Sequence, residues 1–399
     1  MLTNRQIFLQ NIGQTCDYPS ALEIEKALGI YMYDKEGKDY IDLVSGVSVS
    51  NVGHRHPRVV ETIKEQLDKH MHLMVYGEFV QYPQVKFAEL LNKHLPENLN
   101  NIYYVNSGSE ANEGAMKLAK RYTGRTEIVT AKNGYHGSTH GALSVMGDEK
   151  YKRPFRPLLP DIKYIEFNNP DQLDLITEKT ACVIIEPIQA EAGIILPEKG
   201  YLEKLREKCN ATGTILIFDE VQTGFGRTGQ LFAFQKYGIT PDIVTIAKGM
   251  GGGMPIGAFI SSKNIMDALK IQPGLGHITT FGGHPVSAAA AYENLRVILE
   301  EKMMEGVEAK EKQYKKKLKH SRIKNVRGTG LFLAVELQDE NTVNKTMKNL
   351  REEGIITDQF IFKPNAFRIA PPLIIAEEEI DESIQRIKKA LDKLDNEKN

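Results

Sequence analysis

The chain has 399 residues, 41% of them hydrophobic and 26% charged, ordinary values for a globular enzyme long enough to bury a large core. With 51 basic and 52 acidic residues the net charge is −1, so nothing in the composition asks for nucleic acid or an anionic membrane. Cys16, Cys182 and Cys209 lie far apart with no CxxC pair, which argues against a disulfide framework and points to a reducing cytoplasm.

The N-terminal stretch MLTNRQIFLQNIGQTC lacks the continuous apolar core of a signal peptide. No apolar run approaches the ~18 residues that suggest a membrane span. Up to about residue 45, short β-like stretches (30–33 and 40–43) alternate with turn residues. Residues 57–70 predict an amphipathic helix, with Val59, Val60, Ile63 and Leu67 on one face. From about residue 100, apolar runs at 102–105, 128–131, 182–185, 215–218 and 243–247 alternate with helical patterns such as 111–122 and 200–211. That alternation predicts βαβ units and a mainly parallel sheet covered by helices. After residue 300 a Lys-rich helix (307–319), two short strands (331–336 and 367–369) and a closing helix from about 380 predict a smaller α+β unit.

The chemistry-bearing residues sit where the strands end, the rim at which open α/β sheets bind ligands. After the run at 102–105, Asn106-Ser107-Gly108-Ser109 turns into a helix predicted to begin near Glu110. A helix N-terminus with a serine beside it is a ready anion site, although an ordinary serine N-cap looks the same. In NGYHGSTHG, Tyr135 or His136 could lie flat on a planar ring. In VIIEPIQAEAG, Glu186 ends a strand and Glu191 follows in the loop. TILIFDEVQTGFGRTG places Asp219 at a strand end, and TIAKGMGGGMPIGAF places Lys248 at the next. Two neighbouring parallel strands bring Asp219 and Lys248 to one rim. A desolvated lysine amine is a nucleophile that forms a Schiff base with an aldehyde, and pyridoxal phosphate wants an acid opposite its ring nitrogen.

In that order, SGSEAN, YHG, EPIQAEAG, LIFDEVQTGFGRTG, IAKGMGGGMPIGA and TTFGGHP resemble the class III (ω-amino acid) aminotransferases of pyridoxal-phosphate fold type I, most of all the acetylornithine/ornithine branch. The resemblance implies a large cofactor-binding domain over 46–289, and a smaller domain built from 1–45 and 290–399. It implies that Lys248 is the Schiff-base lysine and Asp219 the partner of the ring nitrogen. Gln222 would bond the ring hydroxyl, Gly108 and Ser109 would cradle the phosphate, and Tyr135, with His136 beside it, would stack on the ring. Glu186 is expected among the cofactor contacts. Thr280 would reach the phosphate of a partner subunit, so a homodimer is expected. Arg368 would grip a substrate carboxylate, and Glu191 would pair with it when no carboxylate is present. The implied reaction is ping-pong transamination, moving an amino group from an ω-amine or amino acid to 2-oxoglutarate. Ser138 stands where the ornithine-type pattern usually carries arginine, Ala190 and Ala192 replace glycines, and His284 stands where asparagine is usual. The amino donor therefore stays open.

Other readings carry less. Decarboxylases and aminomutases of the same class share most of these motifs. Gly224 to Gly229 match G-x-G-x-x-G, but outside the first βα turn where a dinucleotide site needs them. The pairs His54/His56 and His70/His72 lack the company a metal centre requires. A regulator built on the same fold would be expected to have lost Lys248 or Asp219.

Overall fold

The computed structural model describes residues 2–396. Its central sheet has seven strands: Asn101–Val105, Glu127–Ala131, Ile162–Ile165, Thr180–Ile185, Ile215–Asp219, Ile243–Ile246 and Gly257–Ser261. In space their first residues run 101, 257, 243, 215, 180, 127, 162. The three middle strands Thr180–Ile185, Ile215–Asp219 and Ile243–Ile246 are buried throughout. Their β-branched runs suit a sheet covered on both faces. Gly257–Ser261 runs against the direction of the other six strands, antiparallel to both its neighbours. The loop over 247–256 explains this, since it is shorter than the dozen or more residues a parallel crossover needs. The sheet is thus mainly parallel and mixed.

Helix Gly108–Thr123 lies across the sheet on a face of small residues, with Ala111, Asn112, Gly114, Ala115 and Ala119 all buried. The approach is close: a Cβ on Gly114 would sit 2.3 Å from the Phe259 ring. Ser107 caps the helix by accepting from the Glu110 N–H, and Gly124 ends it in the left-handed conformation at φ 71°. The helix therefore begins two residues before the position expected from the sequence, because the glycine belongs to its first turn rather than to the preceding loop.

Two smaller sheets flank this layer. Strands Ile24–Leu28, Tyr31–Asp34 and Asp39–Asp42 form a meander, to which Ile355–Ile356 adds in parallel. Strands Asn325–Thr329, Phe332–Glu336 and Ala366–Ile369 form an antiparallel sheet. The N-terminal and C-terminal segments are thereby tied together. Helix Pro285–Glu300, packed against Pro57–Lys69 and Tyr82–Asn92, has no sequence-level expectation. Its alanine-rich surface is buried on most sides, so no amphipathic period marks it. Strand Ile162–Ile165 and helix Glu340–Glu352 were likewise not expected from the sequence.

Candidate active site

Parallel pairing sets Asp219 beside Thr245, three residues before Lys248. Lys248 leaves the strand with φ 48°, a left-handed conformation that costs a side-chain-bearing residue free energy. Asn294 holds the turn by donating to the Gly249 and Met250 carbonyls at 2.8 and 3.2 Å. Lys248 faces a cavity of about 470 Å³. Enclosure there pushes its ammonium down to about 8; Glu191, Asp219 and Glu186 pull the other way, and Arg368 adds to the depression. The side chain is a lysine largely relieved of its water, able to lose a proton near neutral pH.

Asp219 lines the same cavity, only 4% exposed. His136 Nδ1 lies 2.8 Å from its Oδ2, Asn112 Nδ2 donates to the same oxygen at 2.7 Å, and the Val221 N–H donates to Oδ1 at 3.0 Å. Asn112 is held in turn: its Nδ2 also meets the His136 carbonyl, and its Oδ1 accepts from Thr245. His136 thereby helps orient Asp219. Tyr135 remains on the cavity wall, its hydroxyl 3.2 Å from Ser138 Oγ.

The turn before helix Gly108–Thr123 opens into the cavity through Ser107, Gly108 and Ser109. The first helical N–H groups have no partner within the helix and carry its positive end. Glycine is required here. A Cβ on Gly108 would lie 2.9 Å from Val221, and one on Gly137, at φ 125°, would lie 2.0 Å from Ser109 Oγ. Both glycines let the backbone of this turn pack closely against Val221 and Ser109.

Glu186 accepts from the Tyr135 and Ala190 N–H groups at 3.1 and 2.9 Å, and burial pushes its carboxyl up to about 7. Beyond it, Arg368 is fully enclosed. Its Nη2 donates to Glu191 at 2.7 Å, its Nη1 to Gln222 Oε1 at 2.6 Å and its Nε to Asp358 at 2.9 Å. Its plane lies over Phe360, 4.8 Å from the ring centre. Gln222 also donates to Glu191, so both ends of its amide are engaged. Burial pushes Glu191 up, but the adjacent Arg368 wins and holds it below the usual carboxylate range.

The structure thus gathers Gly108, Ser109, Tyr135, His136, Glu186, Glu191, Asp219, Gln222 and Lys248 around one cavity, with Arg368 behind it. Thr280 is not among the lining residues; it lies exposed on the loop before helix Pro285–Glu300. Sequence reasoning missed Asn112, Asp358 and the segment that brings Gly46 and Val47 to the cavity. Residues 45–48 form a left-handed turn with φ of 51, 60, 64 and 63°. Such a turn is unfavourable for a β-branched residue such as Val47. Asp42 holds its start by accepting from the Val44 and Ser45 N–H groups at 2.9 and 2.7 Å, and Ser45 Oγ donates to the Ala370 carbonyl. No local pattern announces this turn. Asn112 had a weak signal, a polar residue on the buried face of an otherwise small-residue helix.

A seven-stranded, mainly parallel sheet with an amine, an anion cradle and a carboxylate at its rim belongs to the pyridoxal-phosphate enzymes of fold type I. The class III aminotransferase family model matches residues 14–391. Acetylornithine aminotransferase of Methanopyrus kandleri is 39% identical over 368 residues, 91% of this chain and 92% of that one. Its Bacillus cereus counterpart is 38% identical, covering 93% and 95%. Among solved structures, ornithine aminotransferase from Toxoplasma gondii superposes with a TM-score of 0.91 at 29% identity, covering 99% of this chain and 97% of that one. A transaminase from the marine bacterium Virgibacillus matches with the same TM-score and identity. The chain belongs to the class III aminotransferases, and it is a pyridoxal-phosphate-dependent transaminase.

Proposed function

We propose that Lys248 and Asp219 carry the chemistry and that the donor is an ω-amine or amino acid, with a 2-oxo acid such as 2-oxoglutarate as acceptor. The observation that supports this most strongly is the pairing of a lysine of depressed basicity with an oriented carboxylate in one cavity, at the ends of adjacent parallel strands. Bound pyridoxal phosphate supplies an aldehyde for exchange of amino groups and a ring that accepts the electron pair left when the donor loses a proton.

Asp219, aimed by His136 and Asn112, holds the ring nitrogen in its protonated form. Ser107, Gly108 and Ser109 receive the phosphate at the helix start. Tyr135, on the cavity wall, would cover the ring face. Lys248 Nζ would carry the proton that leaves the donor carbon, a transfer suited to an amine that titrates near neutral pH. Glu186 and Gln222 complete the polar wall. Arg368 takes the carboxylate of the oxo acid once Glu191 releases it, since a guanidinium grips a carboxylate in bidentate fashion.

The unit over 46–289 would bind the cofactor, and 1–45 with 290–399 would carry the arginine. A homodimer is part of the proposal. Met71, Phe79 and Val80 on one loop, Tyr82 at the start of the helix that follows it, and Ile271, Leu275 and Phe281 on another loop are all exposed, and exposed apolar side chains of this kind suit a subunit contact. The loop carrying Thr280 lies on this surface. A reducing compartment agrees with three free cysteines. No described helix is long and apolar enough to cross a membrane.

The test is a half-reaction. The purified protein with pyridoxal phosphate should show a visible band, and a donor amine added without oxo acid should bleach it. Lys248→Ala should abolish turnover; appreciable remaining turnover refutes the assignment of Lys248. Product analysis separates amino transfer from decarboxylation.

A further inference from the structure

The substrate end of the cavity is unbalanced in charge, and this bears on the donor. Arg368 is the one cation there besides Lys248, and it is not exposed to the cavity: it lies 1% exposed behind Glu191, Gln222 and Asp358, with Phe360 against its face. Two carboxylates, Glu191 at 2.7 Å and Asp358 at 2.9 Å, share this single guanidinium. The cluster therefore carries a net charge of −1, counted as one cation against two anions.

Asp358 is the under-compensated member. Arg368 binds only its Oδ1; among the described residues nothing donates to its Oδ2. Its side chain is 36% exposed, and it lines the cavity together with Gln359 and Lys248. Burial raises its carboxyl above the usual range despite Arg368, and Glu191 adds repulsion. An Oδ2 with no protein donor on the cavity wall is free to accept from a cation brought by the substrate, pairing a charge that the cavity otherwise leaves to water. A carboxylate brought by the donor instead would meet two like charges while Glu191 and Asp358 keep Arg368 engaged.

We propose that Asp358 is a specificity-determining residue whose Oδ2 holds the distal ammonium of a terminal diamine donor while the other amine reacts at Lys248. The preferred donor class is then an unbranched α,ω-diaminoalkane rather than an amine bearing a carboxylate. This rests on the transaminase reading of the same cavity. It adds a role for a residue that reading leaves unused.

The experiment follows the half-reaction of the holoenzyme with 1,4-diaminobutane, 1,5-diaminopentane, 1-aminobutane and 4-aminobutanoate. A charge-assisted hydrogen bond predicts a second-order rate constant for a diamine about tenfold or more above that for 1-aminobutane. Asp358→Asn should collapse this ratio towards one and shift preference towards 4-aminobutanoate. Calorimetry with Lys248→Ala loaded with pyridoxal phosphate gives a second readout: 1,4-diaminobutane should bind about tenfold more weakly when Asp358→Asn is added. A wild-type enzyme that treats monoamine and diamines alike overturns the inference without recourse to any variant. A diamine preference that survives Asp358→Asn overturns the role of Asp358. If no amine bleaches the cofactor band, the reading of the cavity fails and the inference falls with it; bleaching by 4-aminobutanoate alone overturns only the inference.

Discussion

Replacing Asn112 by alanine tests whether the orientation of Asp219 depends on the helix behind it. Asn112 is 1% exposed. Its amide donates to Asp219 Oδ2 at 2.7 Å and to the His136 carbonyl at 2.8 Å, and accepts from Thr245 Oγ1 at 2.7 Å. A hydrogen bond to a charged group contributes about 1.5–3 kcal/mol and a neutral one about 0.5–1.5 kcal/mol. The three together come to about 2.5–6 kcal/mol, and water entering the vacated space would recover part of it. Asn112→Ala should therefore cost about 3 kcal/mol in equilibrium urea unfolding of the protein without cofactor. Asp219 keeps its His136 contact, so the carboxylate is loosened rather than lost. The half-reaction rate should fall about tenfold, equivalent to about 1.4 kcal/mol. Asn112→Asp keeps the shape but sets a second carboxylate against Asp219, and should cost more than alanine in both assays. A change below about 1 kcal/mol with an unaltered half-reaction rate would show that Asp219 needs no support from this helix.

Three further outcomes follow from the geometry. Lys248 reacts as the neutral amine, so uptake of pyridoxal phosphate by the cofactor-free protein should accelerate with pH through a midpoint near 8; a midpoint near the ordinary lysine value, about 10.4, contradicts the desolvation argument. Gly137→Ala places a Cβ against Ser109 Oγ at positive φ, and should weaken pyridoxal phosphate binding about tenfold or more in equilibrium dialysis while leaving the sheet intact by circular dichroism. Glu220 caps helix Ala233–Tyr237 from a buried position, accepting from the Ala233 and Phe234 N–H groups and from Thr223, and burial pushes its carboxyl up to about 7. The folded state then holds a proton that the unfolded chain releases near 4.5, so this contribution to stability is full below 4.5 and declines as pH rises through 7. Glu220→Gln should flatten that decline in urea titrations between pH 5 and 8; an unchanged slope sinks the assignment.

The rim of the sheet was legible in the sequence because its signals are local. An apolar run followed at once by Asp219, or by Lys248 and glycines, marks a strand end wherever the strand lies. Parallel pairing then follows from the alternation of strands and helices, and it brings both residues to one edge. A serine cap at the start of this helix was legible for the same reason, although the capping residue is Ser107 and the helix starts two residues earlier than expected. The strand Gly257–Ser261 was not expected from the sequence; its direction is set by loop length, which becomes a constraint only once both neighbouring strands are known.

What the sequence by itself determined was therefore the class of fold, the lysine and aspartate at its rim, and the serine–glycine turn between a strand and a helix. The tertiary structure alone decided how those groups are held and what else reaches them. Asn112 and His136 meet Asp219 across more than eighty positions of chain, and Gln222, Glu191 and Asp358 converge on Arg368 from three separate segments. The left-handed turn at 45–48 survives only because Asp42 and Ala370 anchor it from two other elements. Local propensity opposes that turn, and no periodicity encodes the charge balance around Arg368. Such features arise from contacts between distant residues, whose free energy exists only when the chain has closed around them.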